Sequence, residues 1–273
     1  MTNHHVWRSI WNRARGLIHR RRSSTQTDDR FSYQQRYVRF DIEPGQRVLD
    51  IGSGGDPFPY ATVLTDRFVD NSPSRRERLV TMNMPFVVSD AQELPFCDKT
   101  FDFVYCAHVL ECVKDPLAVC REIMRVGRRG YIETPTLGKD TLFAWARGIQ
   151  KWHVVGIGRH LCFFEYSDRQ LDGIRSSLWR DRVFSEWHDP LQEIFYDNQD
   201  VFNVMFPWEG EFSAFAFRLD GTINALNAQN VVVGPNGRGK TKALGLLVTA
   251  LASEVILDEA HQLLHSLMVG VVA

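Results

Sequence analysis

In this 273-residue chain, the residues best suited to chemistry lie where short apolar runs give way to glycines and acids. Val48-Leu49-Asp50-Ile51-Gly52-Ser53-Gly54-Gly55 reads as a buried strand running into a glycine-rich turn. Glycine lets backbone approach a ligand without a Cβ clash and accepts the positive φ of a sharp bend. The spacing is GxGG, so the GxGxxG dinucleotide fingerprint is not met, and a structural strand-to-helix turn is the other reading of the loop alone. Asp66 falls at the end of the next apolar run, where a carboxylate can accept from both hydroxyls of a ribose. Asp90 follows a third run, and with the N–H of Ala91 it offers the acceptor and donor that suit an adenine edge. A fourth run leads into His108, a candidate general base, or a residue that only orients the loop. Glu111 can hydrogen-bond that imidazole or simply begin the next helix.

These residues need strands to present them. Short apolar runs at 47–52, 61–65, 86–89, 101–106 and 130–133 predict strands. Residues 31–40 look helical, Pro44-Gly45 marks a turn, and 116–126 predicts a helix with Leu117, Cys120, Ile123 and Met124 on one face. Strands interleaved with helices and loops argue for a parallel sheet with crossovers, whose ligands bind outside the carboxyl ends of the strands.

At this point the sequence resembles the class I S-adenosylmethionine-dependent methyltransferases of the type 11 group, over residues 36–135. VLDIGSGG at 48–55, DAQELPF at 90–96, DKTFDFVYCAHVLECVKDP at 98–116 and GYIETP at 130–135 carry the resemblance, in the order and spacing it requires. It implies a Rossmann-like α/β fold: a mostly parallel sheet with helices on both faces and a closing antiparallel strand, plus an aromatic-rich insertion. It implies S-adenosyl-L-methionine as cofactor and no metal. Asp50, Gly52, Ser53 and Gly54 would surround its methionine portion, Asp66 the ribose (with Asp70 close by), and Asp90 with Ala91 the adenine. Cys106 would lie near its reactive end. Two departures stand out: Pro57 and Pro59 leave the helix after the first strand short or absent, and Cys112 stands where relatives often carry a second histidine.

Residues 136–210 are rich in aromatics, among them Trp145, Trp152, Phe163, Tyr166, Trp179, Trp187, Phe206 and Trp208. They read as a substrate-side insertion or lid, whose aromatic faces suit sugars, quinones or lipid tails and otherwise fill a core. A turn near Gly210 is expected to lead into a final strand at 212–219. His153, His160 and His188 match no metal spacing. Beyond them, Gly234-Pro235-Asn236-Gly237-Arg238-Gly239-Lys240-Thr241 matches the phosphate loop GxxxxGK[ST]. Residues 255–259 resemble the acidic strand that completes the metal site of a nucleoside triphosphatase. A nucleotide fold needs a whole parallel sheet, so the segment is not expected to be an independent domain, and its phosphate binding is left open.

Charge divides the chain. Residues 1–40 carry nine arginines against Asp28 and Asp29, a net of +7, so the rest carries −8 of the whole-chain −1. Trp7, Ile10, Trp11, Ala14, Leu17 and Ile18 share one helical face beside those arginines, as in a helix that docks on anionic membrane or packs on its own domain. Nucleic-acid binding is not expected, because an acidic body repels phosphate. A 44% apolar and 24% charged composition excludes wholesale disorder. Five dispersed cysteines without a CxxC pair argue against a disulfide framework, a zinc ribbon or a thioredoxin site. No apolar run is long enough to span a bilayer, and the N-terminus lacks a secretory signal core. The expected organisation is an arm and linker at 1–40, the cofactor domain at 41–219 and a tail at 220–273. The expected location is cytoplasmic, with peripheral membrane contact through 7–22. The acceptor would be a small molecule, a glycan or a lipid-linked intermediate, methylated on oxygen, nitrogen or carbon. A non-catalytic Rossmann-like module and a bifunctional protein with a nucleotide-binding tail are the alternatives.

Overall fold

The computed structural model describes residues 30–70, 79–81, 83–143, 149–175 and 190–227. The arm segment expected to be helical at 7–22, the phosphate-loop-like segment, and Trp145, Trp179, Trp187 and His188 lie outside them. Six strands form the main sheet: β1 (Val48–Ile51), β2 (Val63–Asp66), β3 (Phe86–Val88), β4 (Phe101–Ala107), β5 (Gly127–Pro135) and β8 (Asn203–Glu209). Their order is β3-β2-β1-β4-β5-β8, with the first five parallel and β8 antiparallel to β5. This is the mostly parallel α/β sheet with one closing antiparallel strand. No helix separates β1 from β2, where Pro57 and Pro59 interrupt the chain.

Side chains alternate between the two faces of the sheet. On one face Leu49, Ile51, Val104, Cys106 and Ile132 pack against helix α2 (Pro116–Val126). That helix starts cleanly: Asp115 caps it by accepting from Leu117 N and Ala118 N, and Pro116 takes the first position. Its apolar stripe, including Leu117, Cys120, Ile123 and Met124, is buried. On the other face Val48, Leu64, Phe103, Tyr105 and Tyr131 meet Phe40 and Phe58. There Phe58 stacks on Tyr105 with ring centroids 4.2 Å apart. Helix α1 (Arg30–Tyr37) covers this face, burying Tyr33 and Gln34, so residues on the arm side of position 40 contribute to the core.

A second sheet was not foreseen. β6 (Trp152–Ile157), β7 (His160–Glu165), β9 (Ser213–Phe217) and β10 (Ile223–Leu226) run in the order β10-β9-β7-β6. Its Trp152, Val154, Leu161, Phe163, Ala214 and Ala216 join the core around α2. The final strand expected at 212–219 is therefore β9 of this sheet, and the main sheet is closed by β8, inside the segment read as an insertion. The reason is packing across the chain: Phe206 and Trp208 are buried in the core, and Trp208 lies across Gly127 and Gly130. A Cβ at Gly130 would run into the Val104 carbonyl and the Trp208 ring. Trp152, Phe163, Phe206 and Trp208 are thus core residues rather than exposed walls. A turn at 158–159 precedes β7 and one at 219–220 follows β9, and the remaining helices among the described residues are α3 (Leu137–Phe143), α4 (Asp168–Arg175), α5 (Pro190–Asp197) and α6 (Gln199–Phe202).

Candidate active site

Parallel strands in register bring their carboxyl ends to one edge. Asp66 at the end of β2 pairs with Val88, and Ala107 at the end of β4 pairs with Glu133. Ile51 lies between Thr65 and Cys106, so Gly52 emerges between β2 and β4. Gly52 has φ +71°, and a Cβ there would run into Val109 Cγ2. Only glycine fits this bend without strain. The N–H groups of Gly52 and Ser53 donate to Thr65 O, and Gly54 N donates to Asp66 Oδ2 at 3.2 Å. Asp66 Oδ1 accepts from Phe68 N at 2.9 Å. Asp70 is exposed and lies four residues past the strand end.

Asp50 is buried under this loop and accepts from Phe58 N at 2.8 Å. Burial pushes its carboxyl up to about 7, against the opposing pull of the Phe58 N–H and Arg30. Asp90 accepts from both Gln92 N and Gln92 Nε2 and faces Arg67 at 3.4 Å, with Ala91 beside it in the same half-buried turn. Cys106 is fully buried in the apolar cluster with Ile51 and Leu110, and burial drives its thiol far above the usual range. It packs with the core rather than with the polar loop.

His108 adopts φ +59°, rare for a residue with a side chain, and is held there by His108 N donating to Glu133 O at 2.8 Å. Its Nε2 lies 3.2 Å from Glu133 Oε1 and its Nδ1 3.5 Å from Glu111 Oε1. Glu133 has no distinguishing signal in the sequence beyond being an acid inside an apolar strand. It is fully buried and also accepts from Tyr33 and Tyr131 hydroxyls and from Gln34 Nε2 at 2.8 Å. Burial alone would raise its carboxyl, but His108, Tyr131 and Tyr33 outweigh it and hold the group at about 2. Close by, Lys139 Nζ donates to Asn203 Oδ1 at 2.6 Å, and burial lowers its ammonium to about 8. Asp140 accepts from the Tyr166 hydroxyl at 2.7 Å, and burial raises its carboxyl to about 7. A groove of about 250 Å³ lined by Arg39, Phe40, Arg129 and Pro207 opens near Phe103, toward the amino ends of the strands and away from this chemistry.

The edge fits a nucleoside cofactor of the kind the sequence implies. Ser53 Oγ and Ser89 Oγ, flanking the loop and Asp90, are buried without a hydrogen-bond partner among the described residues. Buried hydroxyls left so call for a ligand or water. Residues 49–132, which contain β1 through most of β5, match the family described as "Methyltransferase domain". Over that stretch the chain is similar to methyltransferase domains. It is 28% identical over 157 residues to the ubiquinone/menaquinone biosynthesis C-methyltransferase UbiE of Desulfotalea psychrophila, covering 51% of this chain and 64% of that one. It is 30% identical over 105 residues to the demethylmenaquinone methyltransferase of Corynebacterium efficiens, covering 37% and 46%. It is 31% identical over 105 residues to cycloartenol-C-24-methyltransferase 1 of Oryza sativa, covering 34% and 30%. The chain thus spans less than two thirds of the length of these relatives.

Proposed function

We propose that the chain transfers a methyl group from S-adenosylmethionine to a small-molecule, glycan or lipid-linked acceptor. One observation carries this reading: the segment that matches the methyltransferase family ends its strands on the edge that holds Gly52, Asp66, Asp90 and His108, with two orphaned serine hydroxyls among them. Asp50, Gly52, Ser53 and Gly54 would hold the methionine portion, Asp66 the ribose, and Asp90 with Ala91 the adenine. Cys106 would back the reactive end from the core. When bound, the cofactor supplies a sulfonium methyl group that is already electrophilic. The protein's part is to align a nucleophile and, where that nucleophile carries a proton, to accept it at His108.

Relatives named for ubiquinone/menaquinone biosynthesis and for cycloartenol support an apolar or amphiphilic acceptor. The basic arm at 7–22 is part of the same proposal, docking a cytoplasmic enzyme on anionic membrane. Among the described residues no helix is long and apolar enough to cross a membrane. Incubation with S-adenosylmethionine bearing a trideuterated methyl group, against panels of quinols, sterols and lipid-linked glycans, tests the activity. A 17-dalton gain on one class identifies the acceptor; no transfer to any extracted lipid or glycan would count against the proposal. Flotation with anionic liposomes, full length against a chain lacking residues 1–29, tests the arm, and equal flotation would remove it.

A further inference from the structure

Exposed apolar side chains gather in two places among the described residues. Phe68, Val69 and Val88 follow Asp66 or precede Asp90 and belong to the cofactor edge. The other group, Tyr37, Leu137, Ile194 and Val201, is 40% to 61% exposed and has no part in that site. Hydrogen bonds tie its elements into one face. Arg36 Nη2 and the Tyr37 hydroxyl of α1 donate to Tyr196 O at 3.1 Å and Asp197 O at 2.9 Å, at the end of α5. Asn198 leads from α5 into α6, and Thr136 Oγ1, just before α3, donates to Val201 O at 3.2 Å. The face is also acidic: residues 190–202 carry Glu193, Asp197 and Asp200 and no lysine or arginine. Asp197 lies 4.0 Å from Arg36 yet keeps 59% of its side chain exposed.

We propose that the arm segment 7–22 docks in cis on this face, its apolar side against Tyr37, Leu137, Ile194 and Val201 and its arginines against the acids. Charge selects this occupant. Residues 7–22 carry six arginines and no acid, against three acids and no lysine or arginine on 190–202. Those acids repel an anionic membrane surface, and a second copy paired face to face would set like charges together. Patterning agrees, since Trp7, Ile10, Trp11, Ala14, Leu17 and Ile18 share one helical face, and such a face needs cover. The tether is long enough. The arm joins the body at the start of α1, where Arg30 Nε lies 3.2 Å from Asp56. Residues 23–29 span up to about 24 Å when extended. Helix α1 is only about 12 Å long, so Arg22 can reach the end of α5 that Tyr37 holds. A short tether gives an effective concentration of about 1 mM, so a contact with a Kd of about 0.1 mM between separate molecules is about nine-tenths formed. The contact does not depend on the methyl-transfer reading. Its consequence rests on the membrane reading of the arm: the same apolar side chains cannot face body and lipid together, so an anionic membrane draws the arm off. Because Thr136 directly follows β5, the docked arm lies beside the edge that holds His108 and Glu133.

Hydrogen exchange of the full-length protein in vesicle-free buffer, read by mass spectrometry, tests the contact from both sides. In the wild type, amides of residues 10–18 are expected to exchange about tenfold more slowly than in an unstructured chain. Ile194→Asp with Val201→Asp, both at exposed positions, should erase that protection. Trp11→Asp in the arm should speed exchange across 190–202 several-fold. Asp197→Asn with Asp200→Asn leaves the apolar contacts in place and should reduce the protection several-fold, as should raised salt. Leu219→Asp, an equally exposed apolar position beyond β9, should change neither segment. Arm amides exchanging at the unstructured rate in the wild type, or protection that survives the substitutions at 194 and 201, overturns the proposal. So does protection that rises with protein concentration, as contact with a second copy requires. Vesicles of phosphatidylserine and phosphatidylcholine should then speed exchange across 190–202 to the rate seen in Trp11→Asp. Unchanged exchange there while the protein floats overturns the competition. Absent flotation fails the membrane reading alone, because the vesicle-free data decide the cis contact.

Discussion

Asp50→Asn swaps one oxygen for nitrogen in a buried carboxyl and leaves an acceptor for Phe58 N, so packing and hydrogen bonding are nearly preserved while the charge is removed. The folded protein holds this carboxyl at about 7, mainly because burial penalises the ionised form, against 3.8 without that environment. A raised carboxylate makes the native state bind a proton that the unfolded chain has already released. Stability therefore falls as pH rises from about 4 toward 7, and the full penalty applies above that. Three pH units correspond to about 4 kcal/mol. The asparagine variant escapes this cost. In urea unfolding of the ligand-free protein, it should match the wild type near pH 4 and exceed it by up to about 4 kcal/mol at pH 8. Equal curves across this range, or a less stable variant at pH 8, would refute the reasoning that burial of the Asp50 carboxylate outweighs the pull of Phe58 N–H and Arg30. The buried charge also has a use if the ligand is cationic there. Wild-type protein should release a proton on binding S-adenosylhomocysteine near pH 6.5, seen as a buffer-dependent enthalpy, and Asp50→Asn should not.

Glu133 behaves oppositely, since its partners depress it to about 2 from 4.5. Its contribution is present above pH 4.5 and lost as pH falls through about 2, and Glu133→Ala should cost roughly 3–5 kcal/mol in urea unfolding at pH 7. Gly52→Ala should cost at least about 1 kcal/mol from its positive φ, and more from the contact with Val109. In a double-mutant cycle Val109→Ala should recover the contact part and leave the φ part. Asp115→Ala should lose about 1 kcal/mol of thermal or urea stability, because Leu117 N and Ala118 N lose their cap.

How much of this was legible depended on the range of the interactions. β1, β2, β3, β4 and α2 declare themselves locally, by apolar runs ended by glycine or acid and by the Asp115-Pro116 start. The prolines at 57 and 59 correctly announced a missing helix. The closing strand did not declare itself: Asn203–Glu209 begins on a polar residue, carries Pro207 and ends on the exposed Glu209, so it resembles a loop. What makes it a strand is distant, the room that Gly127 and Gly130 leave for Trp208. The second sheet has the same cause, since β7 pairs with β9 some 50 residues later. At the site, His108 and the glycine loop stood out by type and context. Glu133 could not, because its role is set by Tyr33 and Gln34, about 100 positions earlier in the chain. A single acid within GYIETP carries no local mark of a partner at that separation.

Isothermal calorimetry with S-adenosylhomocysteine tests the central claim most directly. Wild-type protein should bind one equivalent, Gly52→Arg should bind none, and Asp90→Ala should bind at least tenfold more weakly with its unfolding midpoint unchanged. No binding by the wild type, or equal binding by all three proteins, would contradict the assignment of a cofactor site to this sheet edge.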